Sequence, residues 1–282
     1  MSELVWLNGE IVPLGEARIG VEDRGFQFAD GVYEVIRLYG GKPFALEAHL
    51  QRLERSAGGI QLKAPLGVGK LKEEIAKYLA RSPLRDGMIY LQLTRGMTAR
   101  NHAFADCKPT LLFYGRALPS LAEPGQCEGV KLLAVADERW KRCWIKSIAL
   151  LPNVLAKNQA LAAGADEAVF IDDGVVTECA ASNIFAVIKG RLVTHPIGSK
   201  VLPGITREIL LQIAGKMFVP VDERTYTEDE ARSAEELFIT STTREISWVK
   251  TWNDRRVGQG RVGPVTLKLH EALREMVNLQ TG

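Results

Sequence analysis

Arg139-Trp140-Lys141-Arg142-Cys143-Trp144-Ile145-Lys146, followed by Ser147, places four cationic side chains and two tryptophans in eight residues. Lysine is strongly hydrated, so a lysine set beside a large apolar residue such as Ile145 needs a reason. One reading is a solvated basic loop whose tryptophans pack against a neighbouring surface. The other is chemical: a desolvated lysine gives up its proton more easily and can form a Schiff base with an aldehyde. The stretch alone leaves both open. Its flanks place it in a loop. GVKLLAVAD (129–137) before it reads as a strand, and NVLAKNQALAAGA (153–165) after it has helical spacing.

Further downstream, EAVFIDDGVVTE (167–178) and NIFAVIKGRLVTH (183–195) read as hairpins turning at Asp172-Asp173-Gly174 and at Lys189-Gly190. GITREILLQIAGK (204–216) is helical. Thr227 and Glu230 have capping-box spacing, ELFITSTT (236–243) is a strand ending in a polar turn, and VTLKLHEALREMV (265–277) is an amphipathic helix. Upstream, LVWLNGEIVP (4–13) is a hairpin at Asn8-Gly9, and Gly31–Tyr39 followed by Gly40-Gly41 is a second. Two amphipathic helices follow, the first with Leu46, Leu50, Leu53 and Ala57 on one stripe, and then two strands within 88–96 and 109–118. Residues 118–127, LPSLAEPGQC, lack periodicity and carry two prolines and a glycine, so they read as a linker. The expected organisation is therefore α/β of the α+β type in two domains: a small one over 1–117, the linker over 118–127 and a large one over 128–282. Hairpins outnumber strand–helix–strand units, so mainly antiparallel sheets with flanking helices are expected.

With 282 residues, 25% charged and 46% hydrophobic, the composition is that of a globular protein. A net charge of +2 gives no reason to expect nucleic acid or an anionic membrane as a partner. Cys107, Cys127, Cys143 and Cys179 are widely spaced with no CxxC pair, which argues for free thiols in a reducing compartment and against a structural metal. The start MSELVWLNGE does not read as a signal peptide, and no stretch approaches the roughly 18 apolar residues of a spanning helix. A cytoplasmic location is the expectation.

Besides Lys146, several polar residues stand next to strand or helix ends. Glu178 follows an apolar strand and is either a solvated turn acid or a functional carboxylate. Gly204-Ile205-Thr206 opens a helix, where free backbone N–H groups suit an anion, and Thr242 lies in a polar turn; simple helix capping explains them equally well. Arg52 lies on the polar flank of a helix three residues after His49, the usual position of a surface arginine. Arg100 and His102, two apart in a loop, can point the same way and together suit a carboxylate; a flexible basic loop is the alternative.

HLQRLERSA (49–57), RWKRCWIKS (139–147), VTECAASNIF (176–185), VLPGITRE (201–208) and LFITSTTREI (237–246) together resemble the fold-type IV pyridoxal-phosphate enzymes, the class of branched-chain and D-amino-acid aminotransferases. The motifs occur in the family order over nearly the whole chain. Within the class, EDRGFQFADGVYEV (22–35) and TRGMTARNH (94–102) are similar to the D-amino-acid aminotransferases. Branched-chain enzymes usually carry Phe-Glu-Gly where this chain has Tyr33-Glu34-Val35, and they lack the Arg-x-His pair. The resemblance implies pyridoxal 5'-phosphate as cofactor, Lys146 as the Schiff-base lysine and proton shuttle, and Glu178 as partner of the pyridinium nitrogen. It implies a phosphate site of Arg52, Ile205, Thr206 and Thr242, a carboxylate trap of Tyr33, Arg100 and His102, and a structural role for Arg139. It implies a homodimer acting on amino acids and 2-oxo acids, with D-alanine or D-glutamate as donors. A branched-chain L-aminotransferase, an amine transaminase and an aminodeoxychorismate lyase are the alternatives on the same fold. From strand alternation, Val35 and Arg37 should face the substrate, with Arg37 favouring acidic side chains.

Overall fold

The structure is a computed structural model that describes all residues except 1, 2, 105 and 124; Pro124 of the 118–127 stretch and the first two residues therefore lie outside the described part. It divides into two compact units. The first comprises 1–120, Ile145–Ala149 and 281–282, and the second comprises Leu121–Trp144 and Leu150–Gln280. The division at Ser120/Leu121 falls inside the proline-containing stretch, while the return of Ile145–Ala149 to the first unit has no counterpart in the sequence reading.

In the first unit, β1 (Leu4–Leu7) and β2 (Glu10–Pro13) form the N-terminal hairpin. Asn8 and Gly9 both take positive φ, 51° and 107°, as a two-residue turn that follows the strand twist requires. A short helix α1 (Arg24–Phe28) leads into β3 (Gly31–Tyr39), β4 (Lys42–Pro43), α2 (Leu46–Gly59), α3 (Val68–Arg81), β5 (Gly87–Thr94) and β6 (Thr110–Ala117). The sheet order is β2-β1-β6-β5-β3-β4, antiparallel throughout. The spacing of Leu71, Ile75 and Tyr78 buries one stripe of α3, each side chain adding about 1.5–3 kcal/mol of transfer free energy. The buried stripe of α2 differs from a purely apolar one. His49, Arg52 and Ser56 are buried together with Leu50, Leu53 and Ala57.

The second unit runs β7 (Val130–Ala136), α4 (Leu151–Ala162), β8 (Glu167–Asp172), β9 (Val175–Cys179), β10 (Asn183–Ile188), β11 (Arg191–Thr194), α5 (Ile205–Lys216), β12 (Val221–Glu223), α6 (Glu228–Arg232), β13 (Glu236–Ser241), β14 (Glu245–Trp252), β15 (Arg255–Arg256) and α7 (Pro264–Thr281). The sheet order is β12-β11-β10-β13-β14-β7-β8-β9, with β15 on β14. Most pairings are antiparallel, as expected, but β11–β12, β14–β7 and β7–β8 are parallel. Two of these join strands linked through a helix, α4 between β7 and β8 and α5 between β11 and β12; such a crossover returns the chain in the same direction. The capping box of α6 forms as read, Thr227 Oγ1 accepting from Glu230 N and Glu230 Oε2 accepting from Thr227 N.

Candidate active site

In the first unit the chain around Lys146 is tied to β3 by backbone bonds. Tyr33 N–H donates to the Lys146 carbonyl at 3.0 Å, Ile148 N–H donates to the Gly31 carbonyl at 3.1 Å, and Lys146 N–H donates to Ser56 Oγ at 3.1 Å. The half-buried Lys146 points its Nζ over the ring of Tyr33, 4.3 Å from its centre. Among the described residues no carboxylate pairs with that amine. The basic run is thus of two kinds. Lys141 and Arg142 are exposed, as a solvated loop requires, whereas the Arg139 side chain is buried and Lys146 is half-buried.

Strand alternation sorts β3. Tyr33, Val35 and Arg37 share one face, and Tyr33 stacks on Tyr90 of β5 at 5.8 Å. Arg37 is buried, with Nη2 donating to the Pro119 carbonyl and the guanidinium 5.4 Å from the Tyr39 ring, so it is held in the protein rather than presented to an acidic ligand. On the opposite face Glu34 is 0% exposed and meets α2. Arg52 grips it bidentately, Nε to Oε1 at 2.7 Å and Nη2 to Oε2 at 2.8 Å, and His49 Nδ1 lies 2.8 Å from Oε2. Arg52, at 3% exposure, is therefore no surface residue. A carboxylate on the adjoining strand makes its burial tolerable.

Burial alone would raise the Glu34 pKa; Arg52 and His49 overcome that and hold it at about 2, against 4.5 ordinarily. A carboxyl with a depressed folded pKa contributes stability that is complete above the unfolded value and is lost as pH falls toward the folded one. Acidification from 4.5 toward about 2 is thus expected to remove roughly 3 kcal/mol through this group. Urea unfolding at stepped pH checks it: the wild-type curve should fall through this window more steeply than that of Glu34→Gln, and equal slopes would contradict the assignment.

Arg100 and His102 lie on an exposed loop, yet both side chains reach one ring. The Arg100 guanidinium is 4.3 Å from the centre of Phe28, and the His102 ring is 5.3 Å from it. Among the described residues no hydrogen bond or ring contact joins Tyr33 to either, whereas Arg100 and His102 share the Phe28 ring.

In the second unit Glu178 is 5% exposed, at the end of β9. Three donors converge on its carboxylate: Arg139 Nη1 at 2.5 Å on Oε1, and Asn183 Nδ2 at 3.1 Å and Leu202 N–H at 3.0 Å on Oε2. Arg139 is held in turn by Asp137, Nε to Oδ1 at 2.9 Å and Nη2 to Oδ2 at 2.8 Å, and lies 4.2 Å from the Phe170 ring centre. Burial would lower the Arg139 pKa, but Asp137 and Glu178 raise it. Glu178 is therefore a fixed carboxylate and no solvated turn acid. Asp137 and Asn183 complete this cluster and were missed in the sequence. Asn183 stands in the VTECAASNIF motif, five residues after Glu178, and nothing in the pattern marks Asp137.

Gly204 precedes α5 and approaches Asn183 so closely that a Cβ would lie 2.0 Å from Oδ1. Only glycine fits there, and the helix starts with no side-chain cap. Ile205 and Thr206 open the first turn, both buried, and Thr242 is half-buried just beyond β13. This leaves a helix start with first-turn N–H groups and a threonine hydroxyl, a donor set suited to an anion.

Residues 31–252 match the amino-transferase class IV family. The chain is 38% identical over 275 residues to a D-alanine aminotransferase of Staphylococcus haemolyticus, covering 97% of each chain. It is 40% identical over 282 residues to a D-alanine aminotransferase of Listeria monocytogenes serotype 1/2a (strain 10403S), covering 99% of this chain and 97% of the relative. Among solved structures it superposes on the branched-chain aminotransferase of the thermophilic archaeon Thermoproteus uzoniensis with norvaline at a TM-score of 0.90 and 28% identity, covering 100% of this chain and 96% of that one. Family match, near-complete relatives and fold agree, and the chain belongs to the class IV aminotransferases.

Proposed function

We propose that the protein transfers the amino group of a D-amino acid to a 2-oxo acid with pyridoxal 5'-phosphate, acting as a cytoplasmic homodimer. The observation that carries the choice of a D-substrate is the convergence of Arg100 and His102 on Phe28, in a chain related over its whole length to D-alanine aminotransferases. The branched-chain reading has one observation in its favour, the TM-score of 0.90, but at 28% identity against 38–40% for the D-alanine relatives. For the cellular setting, all four cysteines are free thiols, and no helix among the described residues is long and apolar enough to cross a membrane.

The residues fit the cofactor: an amine with no carboxylate partner among the described residues, a carboxylate fixed by three donors and an uncapped helix start. When bound, pyridoxal phosphate supplies the electron sink that makes cleavage of the substrate Cα–H bond possible. Lys146 would hold the cofactor through its Nζ and, once displaced by the substrate amine, carry the proton between the substrate Cα and C4′ of the cofactor. Glu178 would accept a hydrogen bond from the ring N–H and keep that nitrogen protonated; Arg139 and Asn183 keep the carboxylate in place. The backbone N–H of Ile205, the hydroxyls of Thr206 and Thr242, and the Arg52 guanidinium oriented by Glu34 would bind the phosphate. Tyr33, Arg100 and His102 would bind the α-carboxylate. With Lys146 as the proton carrier, the side on which that carboxylate docks would decide which enantiomer presents its hydrogen to Nζ.

A panel of paired D- and L-amino acids tests this reading, with the visible absorbance of the bound cofactor as the signal. D-alanine or D-glutamate is expected to bleach it fast, and the L-forms slowly or not at all. L-leucine or a carboxylate-free amine as the best donor would replace this reading with the branched-chain or amine-transaminase one.

A further inference from the structure

We propose that Arg24 is the positioning residue of the Arg100–His102 pair: its buried guanidinium, anchored on Asp30, ties down the loop that presents both side chains to the substrate carboxylate. The proposal rests on the trap reading above and adds to it the device that orders the loop.

Residues 99–104 belong to no helix or strand and are exposed, so ordering them at the moment of binding would cost affinity. Arg24, in contrast, is 3% exposed and sits on α1. Its Nη1 donates to the carbonyl of Asn101 at 2.5 Å and to that of Ala103 at 3.4 Å, the two residues that bracket His102. Its Nε donates to Asp30 Oδ2 at 2.8 Å. The same guanidinium lies 4.9 Å from the centre of Phe28, the ring that receives Arg100 and His102. One side chain thus holds the backbone on both sides of His102 while its neighbour on the same helix holds the two functional side chains.

The anchor is itself fixed from several sides. Asp30 also takes Arg95, Nε to Oδ2 at 2.8 Å and Nη2 to Oδ1 at 3.1 Å. Arg95 donates to the carbonyls of Ile60 and Gln61 and stacks on Phe104 at 3.8 Å, which pins the far end of the loop. α1 is set by Asp23, whose carboxylate accepts from Gly25 N–H and from the hydroxyls of Thr94 and Thr110 on β5 and β6. Within DRGFQFAD (23–30), the first aspartate fixes the helix, the arginine pins the loop, Phe28 carries the two side chains and the last aspartate fixes the arginine. A lysine at position 24 would keep the charge but lose the fork that reaches Asp30 and the loop carbonyls together.

The experiment uses holoenzyme of the wild type, Arg24→Lys, Phe28→Leu and Arg100→Ala. Amide hydrogen exchange over 97–108 and steady-state kinetics with D-alanine are measured on each. In Arg24→Lys the loop amides are expected to exchange faster, and KM for D-alanine to rise roughly tenfold or more, about the worth of one charge-assisted hydrogen bond, with kcat and cofactor affinity much less affected. Phe28→Leu, which leaves Arg24 in place, should raise KM with little change in backbone exchange. Unchanged loop exchange in Arg24→Lys overturns the proposal. So does faster exchange without a rise in KM, if Arg100→Ala does raise KM, because loop order would then not matter to the trap. If neither variant raises KM, the trap reading itself fails, and the role of Arg24 in it fails too.

Discussion

Lys146→Ala is expected to keep the cofactor and lose nearly all turnover. The phosphate donors proposed are Arg52, Ile205, Thr206 and Thr242, groups separate from the Lys146 amine, so removing the amine leaves them in place. In the proposed reading the substitution removes the covalent hold and the proton carrier that Lys146 would supply; positioned acid–base help alone is worth about 10²- to 10⁴-fold in rate. The backbone bonds of residue 146 to Tyr33 and Ser56 use only its carbonyl and N–H, and so survive the substitution. Single-turnover kinetics on the reconstituted variant checks this. A rate near that of wild type without added amine would move the role to another lysine, such as Lys157.

Glu178→Gln should slow Cα–H cleavage by several orders of magnitude while weakening cofactor binding less. The amide keeps the shape of the side chain, but two things change. The cofactor ring nitrogen would lose the negative partner proposed to keep it protonated, and Arg139 and Asn183 lose a carboxylate acceptor. Arg139 retains Asp137, so the cluster should hold its fold, with a loss on the order of 1.5–3 kcal/mol for a hydrogen bond to a charged group. Following the first half-reaction with a deuterated D-amino acid separates the two effects. An unchanged rate and isotope effect would show that Glu178 serves only the protein framework.

Much of this architecture could be read in the chain because its signals are local. The Asn8-Gly9 turn, the Gly31–Tyr39 strand and the Thr227–Glu230 capping box are written in adjacent residues and stand as read. β14 could not be read that way. Its sequence EISWVKTW mixes polar and apolar residues, and an irregularity between Val249 and Thr251 breaks the period of two on which strand recognition depends. The short α1 fell below the length at which helical spacing registers, although Asp23 caps it. The site divides in the same way. Lys146 and Glu178 stood out because a lysine and a glutamate are conspicuous beside apolar runs, but their partners are distant in sequence. Arg52 looked like a surface arginine since Glu34, which buries it, lies 18 residues away on another element. The difference in exposure between Lys141 and Lys146 is likewise set by tertiary packing, which no local pattern encodes.

The excursion of Ile145–Ala149 into the first unit bears on how this protein can be taken apart. β4 covers β3 only at Leu38 and Tyr39, and toward its start the strand is completed by the segment carrying Lys146, through Gly31, Val32 and Tyr33. A fragment ending at Ser120 would carry the whole six-stranded sheet yet leave this part of its edge bare, an invitation to pair with another chain. A fragment starting at Leu121 would carry the lysine without the strand that orders it. Cutting the gene at the apparent boundary would therefore separate Lys146 from the strand that holds its backbone, and adding the two halves together would have to rebuild one strand pairing in trans.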